Sequence, residues 1–181
     1  EGNLACHPTG ASELGVDLKT LMEDLRRRGI DSPILIRFND ILGAQISNLR
    51  DSFLTSMKNY GYSGHYQPVM PIKVNQQRHV AEELLARGKD VSLGLEAGSK
   101  PELLIGLALL ETENSLLICN GYKDREDIEM ALHGQGIIKN PILVLDRFAE
   151  LDTILEASER LKVRPCLGVR MKLAARGAGK W

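Results

Sequence analysis

Apolar residues along this chain fall into short runs that alternate with longer amphipathic stretches. The runs predict strands at Ile34–Phe38, Val69–Val74, Val91–Leu95, Ser115–Cys119, Ile142–Leu145 and Cys166–Val169. Most are apolar at every position rather than at every second one, which is the pattern of parallel strands covered on both faces. Between them the helical period predicts helices over about Ile41–Tyr60, Arg78–Arg87, Pro101–Leu110, Arg125–His133 and Ala149–Leu161. An earlier one, Leu18–Arg28, closes at Gly29. Asp40, Ser99 and Asp124 stand where N-caps belong, and Ser99-Lys-Pro-Glu102 reads as a capping box with proline inside the first turn. Gly88, Gly134 and Pro165 are the expected stop signals. Strands alternating with helices predict an α/β fold with βαβ units and a parallel sheet.

A sharper regularity lies on top of this alternation. Five successive runs end on, or just before, a polar side chain: Lys73, Glu96, Asn120, Asp146 and Arg170, at intervals of 23, 24, 26 and 24 residues. A repeat of about 24 residues fits the compact end of (β/α)₈ barrels, whose C-terminal strand ends form the ligand-binding face. Five polar side chains there could converge on one ligand. N-caps and turn residues at strand-to-helix junctions produce the same spacing, and for Asn120 and Asp146 that plain reading stands beside the functional one. It does not serve for Lys73. A lysine inside Val-Met-Pro-Ile-Lys-Val-Asn neither caps a helix nor sits naturally in a buried strand.

Composition narrows the classes. The 23 basic and 24 acidic residues nearly cancel, which argues against a nucleic-acid footprint or a polybasic membrane surface. Apolar residues at 43% suffice for a core, yet no run approaches the roughly 18 residues of a membrane helix. Three scattered cysteines, Cys6, Cys119 and Cys166, form no CxxC pair, and no basic leader opens the sequence, so a reducing cytoplasm is the expected home. Cys119 and Cys166 fall in apolar runs and are expected to be inert core residues. The histidines show no metal-ligand spacing, and His79 and His133 are expected at the surface. Arg26-Arg-Arg28 reads as a solvated helix end. Arg176-Gly-Ala-Gly-Lys180 lacks the first glycine and the Ser or Thr of a phosphate loop.

Lys73 carries the chemical expectation. Burial at the end of a core strand would favour its neutral amine, the form that condenses with an aldehyde, so a Schiff base to pyridoxal phosphate is the natural hypothesis.

The surrounding residues make it specific. Pro71-Ile-Lys-Val-Asn-Gln76, Gly94-Leu-Glu-Ala-Gly-Ser-Lys-Pro-Glu-Leu-Leu104, Cys119-Asn-Gly-Tyr-Lys-Asp-Arg-Glu126 and Leu167-Gly-Val-Arg170 follow one another in this order. Together they resemble the biosynthetic arginine decarboxylases, pyridoxal-phosphate enzymes of the alanine racemase and ornithine decarboxylase fold group. The likeness runs from about Val16 to Trp181. It implies decarboxylation of L-arginine to agmatine for polyamine synthesis, pyridoxal 5'-phosphate as cofactor, and a homodimer or homotetramer. The family is often associated with Mg2+ as well, for which this sequence shows no ligand cluster. It implies that Lys73 holds the cofactor covalently and that Glu96 lies close to that lysine. Glu102 and Arg170 would lie around the cofactor, where a guanidinium can fix carboxylates in geometry. Glu102 also has a purely structural role open to it, as the capping-box glutamate. Met70 departs from the family, which usually has tyrosine there.

The resemblance further implies that residues 1–38 contribute to a β-rich domain and that residues 39–181 form part of the pyridoxal-phosphate barrel. Two other readings stay open at this level: a decarboxylase of ornithine or diaminopimelate on the same fold, and a barrel that binds or regulates without catalysis. Length completes the expectation. At 181 residues the chain has the size of one domain, yet five strand ends fall short of the eight a closed barrel needs. The expected fold is a partial alanine racemase-like (β/α)₈ barrel truncated before closure. An open sheet edge and apolar surface would make it aggregate alone.

Overall fold

A computed structural model of the chain describes residues 2–9, 15–111, 114–135, 140–171 and 174; the segment 176–180 lies outside them. It divides into two compact units, Glu1–Tyr66 with Ala86–Gly88, and Gln67–Leu85 with Lys89–Trp181.

In the first unit a short antiparallel pair, β1 (Ala5–Cys6) and β2 (Val16–Asp17), leads into helix α1 (Leu18–Arg27). Asp17 caps α1 by accepting from the Thr20 backbone N–H at 3.0 Å, and that bond holds its carboxyl below the usual range. The arginine run ends the helix as expected, with Arg27 and Arg28 both paired to Asp24 and Gly29 turning at φ +79°. Ile34–Phe38 is not a strand. The run follows Pro33, and among the described residues no strand pairs with it. Helix α2 (Asn39–Asn59) starts directly after it, capped by Phe38, which puts Asp40 inside the first turn rather than at the cap.

The second unit is a parallel sheet with helices on one side. Strands β3 (Val69–Pro71), β4 (Gly94–Ala97), β5 (Leu116–Cys119), β6 (Asn140–Leu145) and β7 (Cys166–Val169) lie in sequence order and every pairing is parallel. Helices α3 (Arg78–Arg87), α4 (Lys100–Leu109), α5 (Arg125–Gln135) and α6 (Ala149–Leu161) connect them. This is the α/β repeat of a barrel wall.

Two predicted strands are shorter than their apolar runs. β3 ends at Pro71, which has no N–H to offer a ladder, and the chain continues as a 3₁₀ turn over Ile72–Val74. Before β4, Lys89–Val91 form a second 3₁₀ turn and Ser92 takes a left-handed φ of 50°, so the strand starts only at Gly94.

One face of the sheet makes the core. Leu95, Ala97, Leu117, Cys119 and Leu143 are buried against Leu103 of α4, Ile128, Ala131 and Leu132 of α5, and Ile154 and Ala157 of α6. The other face carries Glu96, Ile118, Ile142 and Val144, all half-buried. Within this unit the described helices pack on one face of the sheet, not on both as the apolar runs suggest. Cys166 pairs in register with Ile142 on that second face and is exposed, so it is not a core residue. Cys119 is buried, and burial pushes its thiol up to about 12. His79 and His133 are exposed, as expected.

Among the helix signals, Gly88 follows α3 directly, but Gly134 lies within the last turn of α5. Its missing side chain makes room for the Leu107 methyl group of α4, so it serves helix packing rather than termination.

Candidate active-site face

Parallel order brings all five spaced side chains to one end of the sheet. Lys73 follows β3, Glu96 lies within β4, Asn120 follows β5, Asp146 follows β6 and Arg170 follows β7. A barrel-like wall places its loops and reacting groups at this end.

Lys73 sits on the 3₁₀ turn, and its side chain is 67% exposed, so the burial expected of a strand lysine is absent. Pro71 explains this, because the chain leaves the sheet before the lysine. Lys73 Nζ lies 3.7 Å from Glu96 Oε1, and the Glu96 side chain is only 22% exposed. Pro71 and Glu96 are register partners, so the turn after β3 delivers the amine beside the carboxylate of the next strand. Met70 points the other way. It pairs with Leu95 and packs on the helix-side core, where a flexible thioether fills space.

Glu102 is buried at 6% exposure in the first turn of α4. Ser99 is the N-cap but makes no side-chain bond, and the glutamate reaches one residue further back than a capping box requires. Its Oε2 accepts from the Gly98 backbone N–H at 2.8 Å, and its Oε1 accepts from Gln76 Nε2 at 2.9 Å. Glu102 therefore links the turn after β4 to the segment after Lys73. Asp124 meets its expectation as a cap. It accepts from the Asp127 N–H at 2.9 Å, while Asp127 accepts from the Asp124 N–H at 3.1 Å. The N–H of Asp127, reinforced by the Lys100 ammonium, holds the Asp124 carboxyl below its ordinary range.

Arg170 pairs with Asp146 at 3.1 Å, and its backbone N–H donates to Leu145 O at 3.2 Å. It directly follows β7, at the opposite edge of the sheet from β3. Four strand spacings separate them, about 19 Å along the sheet. Lys73, Glu96 and Glu102 are thus gathered at one edge, and Arg170 with Asp146 at the other.

Two residues without a role at the sequence level stand between the edges. Lys123 and Glu150 are both buried, with Lys123 Nζ 3.4 Å from Glu150 Oε2. Glu150 also accepts from the backbone N–H groups of Lys123 at 3.1 Å and Asp146 at 3.2 Å. Burial alone would push the Glu150 carboxyl up. Those two N–H groups and the Lys123 ammonium outweigh it and hold the carboxyl below the usual value. In the sequence the pair is a lysine inside the motif Asn120-Gly-Tyr-Lys123 and a glutamate five residues past the end of β6, a pattern that does not report burial.

A cavity of about 20 Å³ lies between the ends of β4 and β5, walled by Gly98, Ser99, Asn120, Tyr122 and Asp127. It has room for a water and is far below the ~300 Å³ of a small-molecule pocket. Among the described residues no group of three His, Cys, Asp or Glu side chains could hold a metal ion such as magnesium. No helix among them is long and apolar enough to cross a membrane. The donor set does suit an aldehyde cofactor, since an accessible primary amine stands beside a carboxylate at the C-terminal ends of parallel strands.

Comparison with known proteins agrees with this geometry. The family model described as pyridoxal-dependent decarboxylase, pyridoxal binding domain matches residues 44–180. The biosynthetic arginine decarboxylase of Gloeobacter violaceus is 49% identical over 181 residues, and that of Prochlorococcus marinus 47%. Each match covers 100% of this chain and 28% of the relative, so the chain spans just over a quarter of their length. The crystal structure of the biosynthetic arginine decarboxylase SpeA from Campylobacter jejuni superposes with a TM-score of 0.77 at 33% identity. That superposition covers 84% of this chain and 25% of the other. On the match across residues 44–180, the chain belongs to the pyridoxal-dependent decarboxylases and carries the wall of their pyridoxal-binding barrel.

Proposed function

We propose that this chain supplies the cofactor-holding part of a pyridoxal 5'-phosphate-dependent enzyme that decarboxylates L-arginine to agmatine and carbon dioxide in polyamine biosynthesis. The observation that carries the reading is the exposed Lys73 amine 3.7 Å from Glu96, at the C-terminal end of a parallel sheet whose sequence matches the pyridoxal-binding family. Arginine as the substrate is supported by the names of the relatives.

When bound, the cofactor supplies an electron sink for the bond that breaks. The chain's own residues hold and orient. Lys73 Nζ is the group that attaches to the cofactor aldehyde, and being exposed it is reachable from solvent. Glu96 holds the lysine by charge and offers a carboxylate that can keep or return a proton beside it. Glu102 fixes the Gly98 turn after β4 and Gln76 in the segment after Lys73. Arg170, held by Asp146, presents a fixed cation from the far edge. Residues 1–38 would contribute to a β-rich domain and residues 39–181 to the barrel, in a full-length cytoplasmic homodimer or homotetramer. The domain and oligomer assignments rest on the family resemblance, and the cytoplasmic one on three cysteines that form no CxxC pair.

Carbon dioxide release from arginine, ornithine and diaminopimelate by the full-length protein tests the substrate. Release from arginine well above the other two is expected; negligible release from arginine would sink the reading.

A further inference from the structure

We propose that Lys123 is a positioning residue of this face, its buried ammonium setting the place of Arg170 through Glu150 and Asp146. The inference rests on the function proposed above, because it takes Arg170 to face the cofactor.

The lysine is unusually placed. Its side chain is 5% exposed, and lysines are almost never so buried unless every charge finds a partner. All three ammonium protons have one. Nζ donates to Gly121 O at 2.6 Å and to Val144 O at 2.5 Å, and lies 3.4 Å from Glu150 Oε2. The first acceptor belongs to the loop after β5 and the second to β6, so one cation ties two neighbouring strand ends. Gly121 fits this loop because it has φ +78° and a Cβ there would stand 2.9 Å from Gly98 O.

Glu150 passes the constraint on. Its two oxygens accept the N–H groups of Lys123 and Asp146, which fixes where the backbone turns after β6. Asp146 then holds Arg170, whose side chain is 69% exposed and would otherwise be free to choose among many rotamers. The Asp146 carboxylate is itself buried at 6% exposure. An apolar pair could fill the Lys123–Glu150 space with equal or better stability. What the charged pair adds is direction, because its bonds to Gly121 O, Val144 O and the N–H groups of Lys123 and Asp146 end on backbone atoms around the ends of β5 and β6, next to Asn120 and Asp146.

The test uses the full-length holoenzyme. Pyridoxal phosphate dissociation constants, KM and kcat for arginine, and apoenzyme thermal midpoints are measured for Lys123→Met, Lys123→Met/Glu150→Gln, Asp146→Asn, Arg170→Lys and Lys123→Met/Arg170→Lys. The Lys123→Met/Glu150→Gln variant leaves no unpaired buried charge and should fold. It is expected to raise the cofactor dissociation constant or KM about tenfold or more, as loss of an outer positioning group does elsewhere. Asp146→Asn should do the same with an unchanged thermal midpoint. Arg170→Lys on top of Lys123→Met should add less than about twofold, because the two act in one chain.

A wild-type-like dissociation constant and KM in the Asp146→Asn or Lys123→Met/Glu150→Gln variants would overturn the proposal. So would independent, multiplying effects of Lys123→Met and Arg170→Lys. A wild-type enzyme that takes up no pyridoxal phosphate would instead overturn the functional reading, and the inference with it.

Discussion

Truncating Glu102 to alanine separates its local job from the chemistry beside it. The carboxylate is buried and accepts two hydrogen bonds, from the Gly98 N–H at 2.8 Å and Gln76 Nε2 at 2.9 Å. A hydrogen bond to a charged group contributes about 1.5–3 kcal/mol, and an orphaned buried donor costs a similar amount. Return of the carboxylate to water in the unfolded state offsets part of this in the wild type. Gln76 is exposed and can turn to solvent, so its share is small. Gly98 N–H, anchored at the end of β4, cannot turn away so easily. A net loss of roughly 3 kcal/mol is expected for local opening of the β4–α4 junction, equivalent to about 100-fold. Amide hydrogen exchange of Gly98 in the full-length protein reads this directly. Glu102→Ala should accelerate it about 100-fold, and Glu102→Gln, which keeps a carbonyl acceptor, by about tenfold or less. Acceleration below about threefold in the alanine variant would refute the reasoning, because the Gly98 N–H would then owe its protection to something other than Glu102.

Glu96→Gln should behave in the opposite way. Its partner Lys73 is two-thirds exposed, so the pair contributes under about 1 kcal/mol to stability, yet carbon dioxide release should fall by about tenfold or more. Gly94→Ala would place a methyl group against the backbone carbonyl oxygen of Leu116 in the neighbouring strand, which cannot move aside. Equilibrium urea unfolding should show a loss of about 2 kcal/mol or more. Stability should also fall in acid. The folded state holds the Glu150 carboxyl below its ordinary 4.5, so the unfolded chain takes up the proton more readily. This contribution is complete above about pH 4.5 and is lost as the pH falls through the lowered value. The urea midpoint of Glu150→Gln should therefore vary less between pH 7 and pH 3 than that of the wild type.

Much of this architecture was legible because periodicity reports burial. Arg78–Arg87, Ala149–Leu161 and Cys166–Val169 match their apolar patterns end to end, and the interval between polar residues located the C-terminal ends of the five parallel strands. The misreadings have local causes. Pro71 and the left-handed Ser92 cut strands short inside runs that are apolar throughout, and Ile34–Phe38 has strand composition but no strand to pair with. Gly134 has the composition of a stop signal but serves helix contact, which only the position of Leu107 reveals. Lys73 and Glu96 were expected as neighbours from the family resemblance, and parallel register explains why they meet. The Lys123–Glu150 pair was missed because burial of a charge is a tertiary fact. Nothing in a run such as Asn-Gly-Tyr-Lys says that the lysine turns inward to two backbone carbonyls.

The assignment of Lys73 is the center of the account, and one measurement reaches it most directly. The full-length protein is equilibrated with pyridoxal phosphate, reduced with borohydride, digested and mapped by mass spectrometry. A single pyridoxyl adduct on Lys73 is the predicted result, lost in Lys73→Ala and retained in Glu102→Gln. An adduct on any other lysine, or none on Lys73 in protein that has taken up the cofactor, would contradict it.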